Sequence, residues 1–188
     1  MVANPARRVA LADAAITVLG EQGARGLTHR AVDVLAGLPK GTASNYFPSR
    51  AALLLGAAER IFVRLTPEDS RVGEIEASAG DDTLVDYVQY VLERLLAAPQ
   101  LALALIELRL AAARSADVAE VIAPFLRAGL AADVEFHRTH GLSGGTDRVV
   151  LLHHLVDGLV LDRLTVPLQP DRDPADVAAE FVRALRSR

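Results

Sequence analysis

The stretch from Thr28 to Pro48 carries the tightest punctuation in the chain, and it limits the fold more than any other. Thr28 offers an N-cap hydroxyl for a short helix over roughly His29 to Ala36, with Ala31, Val32, Leu35 and Ala36 expected to face a preceding helix. Gly37 accepts the left-handed conformation that a helix stop needs, and Leu38 plugs the corner. A second short helix is expected over roughly Lys40 to Tyr46. Phe47-Pro48-Ser49 ends it, because a residue before proline avoids helical angles, and Ser49 is placed to cap the next helix. Two short helices joined by a glycine-containing turn, with a supporting helix before them, match a helix-turn-helix arrangement. Phe47 is expected in the core.

The rest of the chain repeats helical patterns with clear breaks. Val9, Ala12, Ile16 and Leu19 give a first amphipathic helix whose stop falls at Gly20 to Gly23. A fourth helix runs from Arg50 to Pro67. Glu68 to Gly80, charged and containing two glycines, is read as a loop between two parts. Asp81 and Asp82 favour the N-terminus of a helix with Leu84, Val88, Val91 and Leu95 as its stripe. Pro99 opens a helix from Gln100 to Arg114 that is apolar on nearly all sides, and such a helix should be buried. A further helix spans Asp117 to Thr139, with Pro124 expected to kink or break it. Gly141 to Gly145 makes a turn, and Thr146 is expected to cap a long helix to Val166. Asp173-Pro174 starts the last helix, striped by Val177, Phe181 and Leu185.

Composition agrees with an all-α fold of about nine helices. Hydrophobic residues make up 51% of the 188 and aromatics only 4%, so helix formers dominate. There is no cysteine, hence no disulfide framework and no thiolate metal site. No apolar segment follows a basic N-terminal region, and Leu151 to Leu164 is interrupted by five polar residues, so a cytoplasmic chain without a membrane span is expected. The net charge of −4 hides a division. Residues through Leu65 hold eight lysines and arginines against four acids, a net of +4, and the remainder carries −8. A basic N-terminal third on an acidic body suits local phosphate contact.

The residues Gly26-Leu27-Thr28, Ala36-Gly37-Leu38-Pro39-Lys40-Gly41-Thr42 and Asn45-Tyr46-Phe47-Pro48-Ser49-Arg50-Ala51-Ala52-Leu53 closely resemble the DNA-binding signature of the TetR family. The resemblance covers about the first 65 residues; beyond Gly80 it lies in helix order and length. It implies a helix-turn-helix DNA-binding domain over residues 1–48, a connecting helix over 49–66, and a ligand-binding and dimerisation domain over 67–188. The implied function is a homodimeric transcriptional repressor, released from a palindromic operator on double-stranded DNA when a small-molecule effector binds the C-terminal domain. Thr28, Lys40 and the Lys40-Gly41 amides, Tyr46 and Arg50 are expected to hold phosphates. Thr42, Ser44 and Asn45, with His29 and Arg30, are expected to face the bases. Pro39, Ala43 and Ser44 depart from the residues usual in the family, which points to an unusual operator.

Polar residues on otherwise apolar body helices point to a ligand cavity: Tyr87, Tyr90, Glu107, Arg109, His153, His154 and Asp157. The alternative for each is an internal ion pair or a satisfied core hydrogen bond, and Asp157 stands at the right spacing from both histidines for such a pair. The resemblance places the dimer interface on the last two helices, with Leu152, Val156, Leu159, Phe181 and Leu185 either in it or in the intramolecular core. His137, His140, His153 and His154 have no completing ligand pattern, so neither a metal nor a cofactor is expected. No nucleotide loop, nucleophile elbow or metal signature marks an enzyme. The rival to a repressor is a ligand-binding or scaffolding dimer that does not bind an operator.

Overall fold

The computed structural model describes residues 4–77, 83–142 and 144–186. Among them all regular structure is helical: α1 (Pro5–Gly26), α2 (His29–Leu35), α3 (Thr42–Tyr46), α4 (Arg50–Leu65), α5 (Asp69–Ala77), α6 (Thr83–Ala97), α7 (Pro99–Ala112), α8 (Ala116–Thr139), α9 (Gly145–Leu164) and α10 (Pro174–Arg186). Two compact units share them. The first joins residues through Leu65 with Pro99–Arg127, and the second joins Thr66–Ala98 with Ala128–Arg188.

In the first unit α1 packs against α2, α4 and α7, and α4 also meets α7. Leu11, Ala15, Ile16 and Leu19 of α1, Leu53 and Ile61 of α4, and Leu108 of α7 are buried. The α1–α7 contact is close because Gly20 has no side chain: a Cβ there would stand 2.7 Å from the Gln100 carbonyl oxygen. Phe47 is fully buried and fills the space at Gly56, where a Cβ would meet its ring at 2.2 Å. Phe62 of α4 stacks on Phe125 of α8, their centroids 5.2 Å apart. The second unit is built on α6, which packs against α5, α9 and α10. Val85, Val88 and Leu92 of α6, Val149 and Val160 of α9, and Ala178 and Val182 of α10 are buried.

Local chemistry explains where these elements begin and end, and where the sequence pattern misplaces them. The Thr28 hydroxyl accepts the Ala31 N–H and the Ser49 hydroxyl accepts the Ala52 N–H, as capping predicts. Asp173 accepts the Ala175 N–H ahead of α10. The glycine stop in α1 falls at Gly23, whose φ of 69° breaks the helix, but one more turn follows to Gly26. Glu68 to Gly80 is not a loop throughout. Over Asp69–Ala77 it forms α5, packed on α6 with Ile75 buried and Arg71 and Glu74 exposed, so one apolar anchor suffices to fold the segment. Asp81 and Asp82 lie outside the described residues. Thr146 does not cap α9: Gly144, at φ 100°, is the cap residue, and the left-handed glycines start the helix before the threonine. Pro124 does not interrupt α8; both it and Glu120, whose carbonyl loses its donor, are exposed. Leu35 is 46% exposed, because the seven-residue α2 turns only Val32 and Asp33 fully inward.

Candidate functional site

Asp33 organises the α2–α3 segment. It is 2% exposed, and its two carboxylate oxygens accept the N–H groups of Gly41 at 2.7 Å and Ala43 at 2.6 Å. Those are orphan donors at the start of α3, so a side chain from α2 caps the following helix and fixes the angle between the two. The turn is closed further by the Leu38 N–H, which donates to the Asp33 carbonyl, with Gly37 at φ 64°. Sequence reasoning missed Asp33; the available signal was an acid beside Val32 on the inward side of a short apolar helix.

Three other polar side chains bind backbone in the same region. The Nε2 of His29 lies 2.6 Å from the Phe47 carbonyl and carries the proton, since a carbonyl only accepts. The Arg50 guanidinium donates to the carbonyls of Ala24 and Leu27, at the end of α1. The Tyr46 hydroxyl accepts the Asn4 N–H at 3.2 Å, which leaves its own proton to donate.

This geometry sorts the residues that the sequence grouped together. Thr28, Arg30, Lys40, Ser44 and Asn45 are exposed along one short stretch of chain, while Thr42 and Tyr46 are half-buried. The Thr42 hydroxyl donates to the Pro39 carbonyl at 2.6 Å and the Ser44 hydroxyl to the Gly41 carbonyl at 3.0 Å, so both hydroxyl protons are engaged within the chain. Three of the expected contacts have partners within the chain: Asp33 takes the Gly41 amide, backbone carbonyls engage Arg50, and Phe47 engages the Nε2 of His29.

The second unit holds a pocket of about 470 Å³, counting the space open to solvent, between α6, α8 and α9. Leu84, Val88 and Val91 line it on α6 beside Tyr87, and Val149, Leu152 and Val156 line it on α9 beside His153. Asp133 of α8 joins the polar groups: it accepts the Tyr87 hydroxyl at 3.1 Å and stands 2.8 Å from the Nε2 of His153. Burial, and then the Asp133 charge, hold the Tyr87 phenol well above the ordinary tyrosine range, so it stays a neutral donor. Tyr87 stacks on Phe136 at 4.2 Å between centroids, and Phe136 on His140 at 4.1 Å.

Of the seven ligand candidates, Tyr87 and His153 meet here. Asp133 was missed, although its spacing of three and four residues from Phe136 and His137 puts all three on one face of α8. The others do not line the pocket. The Tyr90 hydroxyl accepts the Glu68 N–H, and the Arg94 guanidinium lies over its ring. Glu107 belongs to the first unit, where it accepts the Ala24 N–H beside Gly23. Arg109 and His154 are exposed, and Asp157 is half-buried away from the lining. His153 also pairs across to Asp133 of α8. Leu152 and Val156, candidates for the dimer interface, face the pocket; Phe181 is exposed, and Leu159 and Leu185 are half-buried. Among the described residues no three His, Asp or Glu side chains gather to hold a metal. No single helix among them is long and apolar enough to cross a membrane.

The α2–turn–α3 arrangement, with Arg30, Ser44 and Asn45 exposed, is that of a helix-turn-helix DNA-binding regulator of transcription. Residues 11–64 match the model of bacterial regulatory proteins of the tetR family, and residues 79–188 match the model of the tetracyclin repressor-like C-terminal domain. The chain belongs to the TetR family. It is similar to the structure of a TetR-family member from Streptomyces coelicolor A3, with 26% identity, 96% of this chain and 98% of that one covered, and a TM-score of 0.68. The multidrug binding protein EbrR complexed with ethidium aligns at 25% identity over 95% of this chain and 98% of its own, with a TM-score of 0.65. The fatty acid degradation regulator FadR from Bacillus halodurans shares the fold at a TM-score of 0.74, 18% identity, and coverage of 98% and 96%. No curated protein matches the chain.

Proposed function

We propose that the chain is a non-enzymatic, cytoplasmic repressor that grips a palindromic operator as a homodimer and lets go when a small molecule enters the pocket of Tyr87, Asp133 and His153. The observation that carries this reading is the Asp33 clamp. It holds the α2–α3 pair in one geometry while Arg30, Lys40, Ser44 and Asn45 stay exposed. Thr28, Lys40 and Tyr46 contact phosphates and position the protein; Arg30, Ser44, Asn45 and the Thr42 methyl face the bases. His29, Gly41 and Arg50 serve the same grip indirectly, by holding the backbone of the reading head.

One such head covers too little DNA, so two must act at half-sites one helical turn, about 34 to 36 Å, apart or at multiples of that spacing. On α9 Leu151 and Leu161 are each 47% exposed, with Gly158 exposed between them, and on α10 Phe181 is exposed; through these two helices the copies pair. Leu159 and Leu185 are the half-buried leucines of the same two helices. We divide the functions at residue 66, with DNA binding before it and dimerisation and effector binding after it. EbrR, complexed with ethidium in one structure and proflavin in another, supports a small-molecule effector for this chain too.

The mechanism is linkage. An effector favours a dimer whose two heads no longer fit the half-site spacing, with α4 as the lever between reading head and body. Coupling of this kind is typically about 1 to 3 kcal/mol and is reciprocal. Selection of bound sequences from a random DNA pool, with the full chain, tests the reading: palindromic sequences with two equal half-sites are expected. Recovery of no preferred sequence, with retention that depends on salt alone, would point instead to a ligand-binding or scaffolding dimer.

A further inference from the structure

We propose that the pocket of the second unit selects a flat organic cation with an apolar body, and that Asp133 is its counter-charge; the proposal rests on reading this pocket as the effector site. The walls are aliphatic, so binding strength comes from burying an apolar ligand surface. Selectivity must come from the few polar groups, which are Tyr87 on α6, Asp133 and His137 on α8, and His153 on α9. Among these described residues Asp133 is the one carboxylate, and the lining includes no lysine or arginine.

An anion would have to rely on the imidazoles. His153 is already turned toward Asp133 at 2.8 Å, and His137 is only 3% exposed and bonded within the fold. A neutral ligand could at most donate a hydrogen bond to the carboxylate and would make no use of its charge. A cation gains on two counts. A carboxylate has room for about four hydrogen bonds, and Asp133 spends one oxygen on the Tyr87 hydroxyl and the other on His153. A ligand N–H⁺ can therefore join Tyr87 at Asp133 and take the place of His153. Tyr87 and Phe136 also line the pocket, and their electron-rich rings are those a planar cation would meet there. The Tyr87 phenol keeps its proton and so helps to orient the carboxylate without adding a second negative charge.

The experiment measures fluorescence binding of three dyes to the full-length protein in the absence of DNA: cationic proflavin, neutral N-phenylnaphthylamine and anionic anilinonaphthalene sulfonate. Proflavin is expected to bind about tenfold more tightly than either other dye. Asp133→Asn is expected to weaken proflavin about tenfold while leaving the neutral dye within about twofold. Val156→Phe, which fills the pocket, is expected to abolish binding of all three. Tightest binding of the anion, or unchanged proflavin affinity in Asp133→Asn, overturns the cation proposal while the pocket stands as the effector site. Dye affinities that survive Val156→Phe unchanged, or no dye binding to the wild type, overturn the pocket reading itself. If Asp133→Asn does not fold, judged by helicity and thermal midpoint, the wild-type ratio of proflavin to neutral-dye affinity decides the matter.

Discussion

Polar side chains do opposite work in the two units. In the first they bind backbone: Asp33 takes two N–H groups of α3, His29 and Arg50 reach carbonyls, and Glu107 accepts the Ala24 N–H. In the second the conspicuous group, Tyr87, Asp133 and His153, binds side chain to side chain at the wall of a cavity. A backbone group left without its partner inside a protein has no substitute, so the first arrangement fixes geometry. Side chains beside a cavity can exchange partners with an incoming molecule, so the second arrangement is open to replacement. A polar residue on an apolar helix therefore announces neither a ligand nor a clamp until its partner is known.

The sharpest way to break this contrast is Asp33→Ala. It strands two helix N–H groups and is expected to lower stability by about 2 to 4 kcal/mol and abolish sequence-specific DNA binding, while dye binding in the second unit persists at temperatures where the variant is folded. Denaturant midpoints and DNA retention report both. Gly56→Ala should cost about 1 to 3 kcal/mol despite alanine's better helix propensity, because its methyl group overlaps the Phe47 ring; a variant more stable than wild type would show that Phe47 is free to move.

Asn45→Ala and Lys40→Ala separate reading from gripping. The first is expected to cost about 1 to 3 kcal/mol on the selected operator and little on random DNA, the second to weaken both and to flatten the salt dependence. Arg50→Ala is expected to cost about 1 kcal/mol of stability with the salt slope of DNA binding unchanged. A slope smaller by about one would return Arg50 to the phosphate contacts that the sequence suggested.

The smallest effect is on pH. Tyr87 has a higher pKa folded than unfolded, so its contribution is complete below the ordinary tyrosine value of about 10 and is lost as pH rises above it. Tyr87→Phe should flatten the fall of the denaturant midpoint in that alkaline range and leave the curve below it unchanged.

The helices and the reading head were legible because their causes are local. Thr28, Ser49 and Asp173 cap within three residues of themselves, and the glycine and proline breaks act on their own neighbours. What the sequence hid depends on partners distant along the chain. Asp133 meets Tyr87 across 46 residues, Arg50 meets Ala24 across 26, and Glu107 meets Ala24 across 83. The α5 helix hid for another reason: its nine residues carry little apolar patterning, and its order comes from packing on α6. Tyr90 and Glu107 satisfied the rule for ligand candidates yet went to structural bonds, since that rule counts polarity and not distance.

The break at Gly23 bears on how such proteins are recombined. The last turn of α1, which feeds directly into Thr28, takes its direction from Arg50 on one side and Glu107 on the other, and α7 is part of the same compact unit as the reading head. A chimera that joins residues 1–65 to a foreign body discards half of that joint. To move the operator preference intact, a transplant has to carry Pro99–Ala112 with the head, even though that helix lies beyond the stretch of chain that touches DNA.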